Sequence, residues 1–220
     1  MEVSELRRWV KQGEGKKLEF KRKANHPDKI CRELIAFANS SGGTLLVGVD
    51  DNCEVYGTKT PGEDLYALQS YLEQFVKPEL PLKWSRIPVT NKREVIQIHV
   101  LESKKKPHFL LVPYEETHRK VAFVRVNDMS VKASRTMVSL MFHARKNKAV
   151  SVQIGEAEKA ILEYLELQPN ITLSQAQKLL KTSKRVTSGK LITLVRTGIL
   201  NIHPTEREDY FQLNEEAFEM

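Results

Sequence analysis

The sequence predicts an α+β protein of two domains, and three observations support this prediction. Strand-like and helix-like patterns alternate between residues 14 and 57, which is typical of a mixed α/β core. Residues 1–150 hold 27 Lys and Arg against 18 Asp and Glu, a net charge of +9, whereas residues 151–220 carry a net charge of −2. Residues 155–213 predict three amphipathic helices followed by two short strands.

The N-terminal part of the chain predicts a strand–helix–strand core. Apolar periodicity indicates, in chain order, a helix over residues 3–12, a half-buried strand over 17–21, a helix over 27–39, a buried strand over 44–49 and a returning strand over 54–56. Asn39 and the serines and glycines that follow it end the second helix, because these residues tolerate left-handed backbone.

The remaining elements follow from the same periodicities and from turn signals. They are a helix over residues 61–76, strands over 82–90, 94–101 and 109–112, a charged loop over 114–120, a strand over 121–126, helices over 135–147, 155–167, 173–180 and 184–197, and two short strands around 202 and 210–213. A change of composition over residues 149–155 marks a linker. We therefore expect one domain over residues 1–148 and a second over residues 152–220.

One group of residues resembles the Schlafen/AlbA-like (divergent AlbA) family of DNA-binding domains. The matching residues are Glu14, Glu19, Phe20, Lys21, Ala36, Phe37, Ala38, Asn39, Gly42, Gly43, Leu45, Gly48, Val49, Asp50 or Asp51, and Gly57. The later segment from Phe123 to Ala133 fits the strand and turn of that family, with Asn127 where a glycine is usual and Ser130 where a threonine is common. The resemblance implies a mixed α/β domain that contacts nucleic acid.

The C-terminal domain resembles a winged helix-turn-helix. Three helices precede a predicted hairpin, and the segment LVRTGILN is similar to the end of a recognition helix. Polar and basic residues at the N-terminal turns of such a helix reach phosphates and base edges. Because the domain carries a net charge of −2, a protein-interaction role for this module remains open beside DNA contact.

Three carboxylates are candidates for a catalytic site. In related nucleases of the Schlafen group, two glutamates and an aspartate cleave RNA with a metal, and the resemblance places these roles on Glu14, Glu19 and Asp50, or its neighbour Asp51. Such chemistry needs converging oxygen ligands for Mg²⁺ or Mn²⁺. The alternative is that Glu19 pairs with a neighbouring cation and that the aspartates form a turn.

Basic residues gather in a few segments, which favours a polyanionic partner over solubility charge alone. The candidate nucleic-acid-binding residues are Lys16, Lys17, Lys21, Arg22, Lys23, Lys104, Lys105, Lys106, Arg125, Lys132, Lys184, Arg185 and Lys190. Arg125 is the most suggestive of these, because it alternates outward from a strand whose direction Phe123 and Val124 fix. Its alternative role is an ion pair with Glu19 or Asp50.

Several other classes of site find no support in the sequence. Cys31 and Cys53 fit neither a disulfide framework nor a zinc site. The chain lacks the glycine and lysine pattern of a phosphate-binding loop, and its six histidines show no metal-ligand spacing. Because the N-terminus lacks a signal peptide and no apolar run could span a membrane, we expect a cytoplasmic protein.

These observations predict a bacterial-type nucleic-acid-binding protein, specifically a DNA-binding transcriptional regulator. A metal-dependent ribonuclease that uses the three carboxylates is one alternative, and a non-catalytic protein-interaction scaffold is another. We expect DNA as the partner, with RNA as an alternative, and no membrane. A homo-oligomer, specifically a dimer, is expected because one short recognition helix reads few base pairs. No cofactor is expected, apart from Mg²⁺ or Mn²⁺ if the protein is a nuclease.

Overall fold

The computed structural model describes residues 2–146 and 150–217. It divides into two compact units, one up to Lys132 and one from Ala133 onwards. The helix predicted over residues 135–147 is therefore part of the second unit, where it packs against another helix of that unit. Residues 147–149, where the sequence predicted the end of this helix and the start of a linker, lie outside the described residues. The predicted boundary between residues 148 and 152 stays a prediction.

The first unit combines three helices with nine strands in its described part. Its helices are α1 (Val3–Val10), α2 (Pro27–Asn39) and α3 (Pro61–Phe75). Its strands are β1 (Leu18–Lys21), β2 (Gly43–Val47), β3 (Val76–Lys77), β4 (Leu82–Thr90), β5 (Arg93–Val100), β6 (Phe109–Tyr114), β7 (Thr117–Val121), β8 (Phe123–Val126) and β9 (Met129–Lys132). The α+β class that the sequence predicted is thereby confirmed.

A four-stranded main sheet in the order β1-β2-β5-β4 organises this unit. β1 and β2 are parallel, and the other neighbours are antiparallel. One face packs on α2 and α3 around the buried residues Leu34, Phe37, Leu45, Ile96 and Ile98. The other face packs on α1 through Leu6, Val10, Phe20, Leu46 and Val95. Each such side chain contributes about 1.5–3 kcal/mol when fully buried, so the two cores hold the sheet between helices.

The glycines of the N-terminal motif permit close approaches that any side chain would block. A Cβ atom at Gly43 would lie 2.4 Å from the ring of Phe37, so β2 can leave the end of α2 only with glycine there. A Cβ atom at Gly48 would lie 2.8 Å from the Cα atom of Gly57, where two backbone segments pass each other. These glycines of the motif are therefore explained by close packing at the start and the end of β2.

Three sequence predictions about strands were wrong. Residues 54–56 form only an isolated bridge, in which Val55 pairs with Val49. Residues 114–120, predicted as a charged loop, include most of β7, because pairing with β6 satisfies their backbone groups whatever their side chains. The strand predicted over residues 121–126 is interrupted at Ala122, which separates β7 from β8.

The second unit contains α4 (Arg135–Lys146), α5 (Glu156–Leu167), α6 (Leu173–Leu180) and α7 (Lys184–Arg196), with strands β10 (Ile171–Thr172), β11 (Leu200–His203) and β12 (Tyr210–Leu213). The strands form an antiparallel sheet in the order β10-β12-β11. The core packs helices against sheet through Ile161, Ile171, Leu191, Leu194 and Phe211. The predicted α5, α6 and α7 are confirmed, and β10 is an addition too short for periodicity to reveal.

Membrane-spanning helices are absent from the described part of the chain, since every helix there is too short or too polar to cross a bilayer.

Candidate functional site

The centre of the first unit holds a buried cluster of one guanidinium and two carboxylates. The guanidinium of Arg125 on β8 donates hydrogen bonds to Glu19 on β1 at 2.7 Å and to Glu33 on α2 at 2.9 Å. The three side chains are only 1%, 7% and 4% exposed. Arg125 also donates to the carbonyl oxygen of Gly15 at 2.9 Å, and its guanidinium carbon lies 4.9 Å from the centre of the Phe37 ring. The cluster therefore links β1, α2 and β8 through buried ion pairs.

This burial corrects two sequence predictions. Arg125 was a candidate phosphate contact, but its guanidinium is enclosed and both of its ends are engaged by carboxylates. The alternative, an ion pair with Glu19, is confirmed. The strand β1 was predicted to be half-buried, yet Glu19 is 5% exposed because its side chain points to Arg125 and not to solvent.

The other two predicted catalytic carboxylates are held by backbone groups. One carboxylate oxygen of Glu14 accepts the backbone N–H of Phe20 at 2.7 Å. Burial raises the pKa of Glu14 most, and the negative charges of Glu19 and Asp51 raise it further, whereas the Phe20 hydrogen bond acts in the opposite direction. Asp50 accepts two backbone N–H groups of its own turn at 3.0 Å each, as the turn-forming alternative predicted.

These carboxylates do not form a metal-binding constellation in the described residues. No group of three or more His, Cys, Asp or Glu in that part of the chain could hold a metal ion. The charges of Glu19 and Asp51 raise the pKa of Glu14 after the larger effect of burial. Glu19, however, is engaged by Arg125 and also accepts from the Lys21 ammonium. The catalytic roles of Glu14, Glu19 and Asp50 stay a prediction.

The basic residues of the first unit lie at both ends of β1. Lys16 and Lys17 occupy the turn before β1 and are exposed. The loop of Lys104, Lys105 and Lys106 lies at the same end of the main sheet, since Lys106 donates to the carbonyl of Ser40 after α2 and to Glu102 at 2.8 Å. The hydrogen bond and charge of Lys106 lower the pKa of Glu102, and the charge of Lys17 lowers it further.

At the opposite end of β1, Lys21 forms an ion pair with Glu19, while Arg22 and Lys23 are exposed. The guanidinium of Arg22 lies 4.5 Å from the centre of the Tyr56 ring, a cation–π geometry. Lys132, at the end of β9, is exposed as well. The structure therefore places Lys16, Lys17 and the loop of Lys104 at one end of the main sheet and Arg22 and Lys23 at the other, rather than on one face.

In the second unit, cations without acidic neighbours lie on α4, which carries Arg135, Arg145 and Lys146, and on two later consecutive helices. Residues 173–197, which include α6, the following turn and α7, contain six Lys and Arg and no Asp or Glu. Lys184 and Arg185 are exposed at the first turn of α7, and Lys178 and Lys181, which the sequence analysis did not select, are exposed beside them. Lys190 was a candidate contact, but its ammonium donates to Glu158 on α5 at 2.6 Å.

Several buried polar residues were not predicted from the sequence, because their hydrogen-bond partners are distant in the chain. The Asn39 side chain donates to the carbonyl oxygens of His108 at 3.0 Å and Phe123 at 2.9 Å, and it accepts the His108 backbone N–H at 2.8 Å. Glu33 accepts from Ser130 as well as from Arg125. Asn39 was predicted only to end a helix, although its place inside the matching motif was a usable signal.

The sequence pattern of the protein family described as Schlafen, AlbA_2 matches residues 14–134. Among solved structures, one match is the N-terminal domain of a protein from Nitrosomonas europaea described as related to the ATP-dependent DNA helicase RecG; it is 19% identical, covers 61% of this chain and 93% of that domain, and has a TM-score of 0.44. Another is the DIP2311 protein from Corynebacterium diphtheriae, which is 17% identical over 90% of this chain and 34% of its own length, with a TM-score of 0.44. No curated protein matches the chain.

Proposed function

This chain belongs to the Schlafen AlbA_2 family, and from that premise we propose that it is a nucleic-acid-binding protein and, more specifically, a DNA-binding transcriptional regulator. The observation that carries the proposal is the separation of charge in the second unit. The helices α6 and α7 with their turn contain cations and no acidic residue, while the acids of this unit lie on α5 and after β11.

The arrangement of the second unit supports its assignment as a winged helix. The order α5, β10, α6, α7, β11, β12 gives a helix-turn-helix backed by a small antiparallel sheet. The α7 helix begins at the Ser183 cap, whose hydroxyl accepts the Val186 backbone N–H. Lys184 and Arg185 directly follow this cap and are exposed, so they occupy the turn from which a recognition helix contacts phosphates and base edges.

The loop between β11 and β12 is suited to a structural role rather than to DNA contact. Glu208 in this loop accepts the backbone N–H of Ser174 at 3.0 Å and its hydroxyl at 2.7 Å, which fixes the loop to the start of α6. Asp209 accepts from the Ser134 hydroxyl before α4. Arg207 is the one cation among residues 204–209, which are otherwise acidic or uncharged. We therefore assign the DNA contact to α6 and α7, in a dimer.

The test is binding of labelled duplex DNA over a series of salt concentrations. The variant Lys184→Glu/Arg185→Glu should bind at least about tenfold more weakly, with a salt dependence reduced by about 0.9 in logarithmic slope for each lost phosphate contact. The matched control is Lys159→Glu/Arg207→Glu, which reverses two exposed charges elsewhere in the same unit. Equal binding by wild type and both variants would show that the first turn of α7 does not contact the DNA and would overturn this assignment.

A metal-dependent ribonuclease is the second candidate. The observation in its favour is that the charges of Glu19 and Asp51 raise the pKa of Glu14, although no group of carboxylates in the described residues is arranged to hold a metal ion. The same assay, repeated on structured RNA with Mg²⁺ or Mn²⁺ and with EDTA, should leave the RNA intact, because Arg125 and Lys21 already neutralise Glu19. Metal-dependent fragments that disappear in Glu14→Gln would instead establish the nuclease.

A further inference from the structure

One corner of the main sheet is left uncovered by helices. On the face that packs on α1, the register aligns Leu18, Thr44, His99 and Lys83 in one row across the four strands. The next row consists of Phe20, Leu46, Gln97 and Ser85. The apolar members of both rows lie on β1 and β2 under α1, whereas the members on β5 and β4 are polar.

We call this polar part of β4 and β5 the sheet corner; it consists of Lys83, Ser85, Gln97 and His99. Lys83, Ser85 and His99 are exposed, and Gln97 is partly exposed. The hydroxyl of Ser85 donates to the Gln97 side chain at 2.9 Å. A sheet face that is covered elsewhere by a helix but polar and open here is suited to a hydrophilic ligand.

A cleft of about 520 Å³ continues the sheet corner towards β1. Its lining includes Trp9, Lys17, Thr44 and His99. The Thr44 hydroxyl lies 3.1 Å from Nδ1 of His99, which orients the imidazole ring at the junction of cleft and corner. The cleft and the corner thus present two lysines, the exposed ring of His99 and the ring of Trp9, which is half-buried because it also packs on the core under α1.

Two acidic side chains also line the cleft, but both are engaged. Glu102 pairs with Lys106 at 2.8 Å, and the ammonium of Lys106 holds the pKa of Glu102 below its usual range. One oxygen of Glu14 accepts the Phe20 backbone N–H. Glu14 keeps its negative charge, but Lys17 and Lys83 outnumber it once Glu102 is paired with Lys106, so the surface has a net positive charge that favours an anion.

We propose that the cleft and the sheet corner bind a short segment of single-stranded nucleic acid, an inference that rests on the proposed nucleic-acid-binding function. Lys17 and Lys83 contact successive phosphates, and the rings of His99 and Trp9 stack with bases. Cations that follow the backbone, combined with aromatic rings, are the usual means of binding single strands without sequence preference. This site is separate from the duplex contact assigned to α6 and α7.

The same surface is poorly suited to a nucleic-acid duplex and to a second copy of this chain. A duplex hides its bases and cannot insert them into a cleft next to a sheet, so the rings would contribute nothing to duplex binding. A second copy of this chain, docked by two-fold symmetry, would bring the lysines of both copies onto facing surfaces, which is unfavourable.

The test measures the fluorescence anisotropy of labelled dT12 and rU12 single strands and of a duplex DNA with wild type, Lys83→Glu and His99→Ala. We expect Lys83→Glu to weaken single-strand binding about tenfold and to reduce its logarithmic salt slope by about 0.7, the value for one phosphate on a single strand. His99→Ala should weaken binding about fivefold or more, as loss of one stacked base predicts. Duplex binding should not change in either variant.

The matched control is Lys92→Glu, which makes the same charge change at an exposed lysine in the turn at the other end of β4 and β5. All three positions are exposed, and circular dichroism checks that each variant is folded. Single-strand binding that Lys83→Glu and His99→Ala leave intact would overturn this inference alone. A wild-type protein that binds neither single strands nor duplex would overturn the proposed function as well. Weakening by Lys83→Glu and Lys92→Glu alike would show a general charge effect and would also overturn the inference.

Discussion

At the residue scale, Arg125 is the buried polar side chain that joins β1, α2 and β8 of the first unit. Its guanidinium satisfies Glu19 and Glu33 together, and these residues come from β1 and α2. Removing one member of a buried ion pair leaves a charge in a medium that solvates it poorly, which costs about 3–5 kcal/mol. Lys21 and Arg32 would remain beside Glu19 and Glu33, but both are partly exposed and compensate the two charges only in part. The two carboxylates would in addition repel each other.

We therefore expect Arg125→Ala to lower the free energy of unfolding by about 3–5 kcal/mol. Arg125→Lys should be destabilised too, because an ammonium cannot reach both carboxylates with the planar geometry of a guanidinium. Urea denaturation measures both variants against Arg119→Ala, which removes an exposed arginine on β7. A change below about 0.5 kcal/mol in Arg125→Ala would show that the cluster contributes nothing to stability.

A second prediction at this scale concerns His108, which is fully buried. Its Nδ1 lies 2.8 Å from the carbonyl oxygen of Pro78 and so donates, and its Nε2 lies 2.6 Å from the Ser103 hydroxyl. Burial lowers the pKa of His108 below its ordinary value of 6.5, and the charges of Lys105 and Lys106 act in the same direction, against the Pro78 hydrogen bond.

Because the unfolded chain binds a proton at His108 near pH 6.5 and the folded chain does so only at lower pH, stability contributed by His108 is present above pH 6.5. It is lost progressively as the pH falls through the lowered pKa of the folded state. Denaturation at pH values from 8 down to about 5 should show this loss in wild type. The variant His108→Gln should lose less stability than wild type over the same pH range. If stability fell equally with pH in both proteins, His108 would not be the source of the loss.

At the element scale, the corner between α2 and β2 depends on Gly43. The Phe37 ring occupies the space where a Cβ atom would lie, at 2.4 Å, and that ring is fully buried under the Arg125 guanidinium. A methyl group at Gly43 must therefore displace a core ring and the cluster above it.

We expect Gly43→Ala to destabilise the protein by about 1–3 kcal/mol, the usual cost of overpacking a core. Gly62→Ala is the control, since a Cβ atom there meets nothing within 4 Å and alanine favours the α3 helix. Thermal unfolding of both variants gives the comparison. If Gly43→Ala were as stable as Gly62→Ala, the steric explanation of the motif glycines would be wrong.

At the scale of the whole molecule, the two units distribute their charge differently. The first unit places cations at both ends of β1 and on the loop of Lys104, whereas the second places them on α4, α6 and α7. The net charge of −2 for residues 151–220 hides this separation, because the acids of that segment lie on other elements. Net charge alone therefore understates the capacity of the second unit to bind a polyanion.

The sequence by itself determined the α+β class, the family resemblance and most helices and strands. Periodicity and glycine positions depend on local backbone preference and on which face is buried, and both can be read along the chain. For Arg125 the sequence offered two roles, a phosphate contact and an ion pair with Glu19. It contained nothing that decided between them.

Only the tertiary structure decided which polar residues are internal and which surfaces are open. Glu33, Asn39 and His108 are partners of residues far away in the chain, and a pattern of neighbours contains no information about such contacts. The same holds for the sheet corner: Lys83 and His99 look like ordinary alternating residues until strand register aligns them. Burial and cross-strand pairing arise when distant segments meet, and for that reason they required the fold.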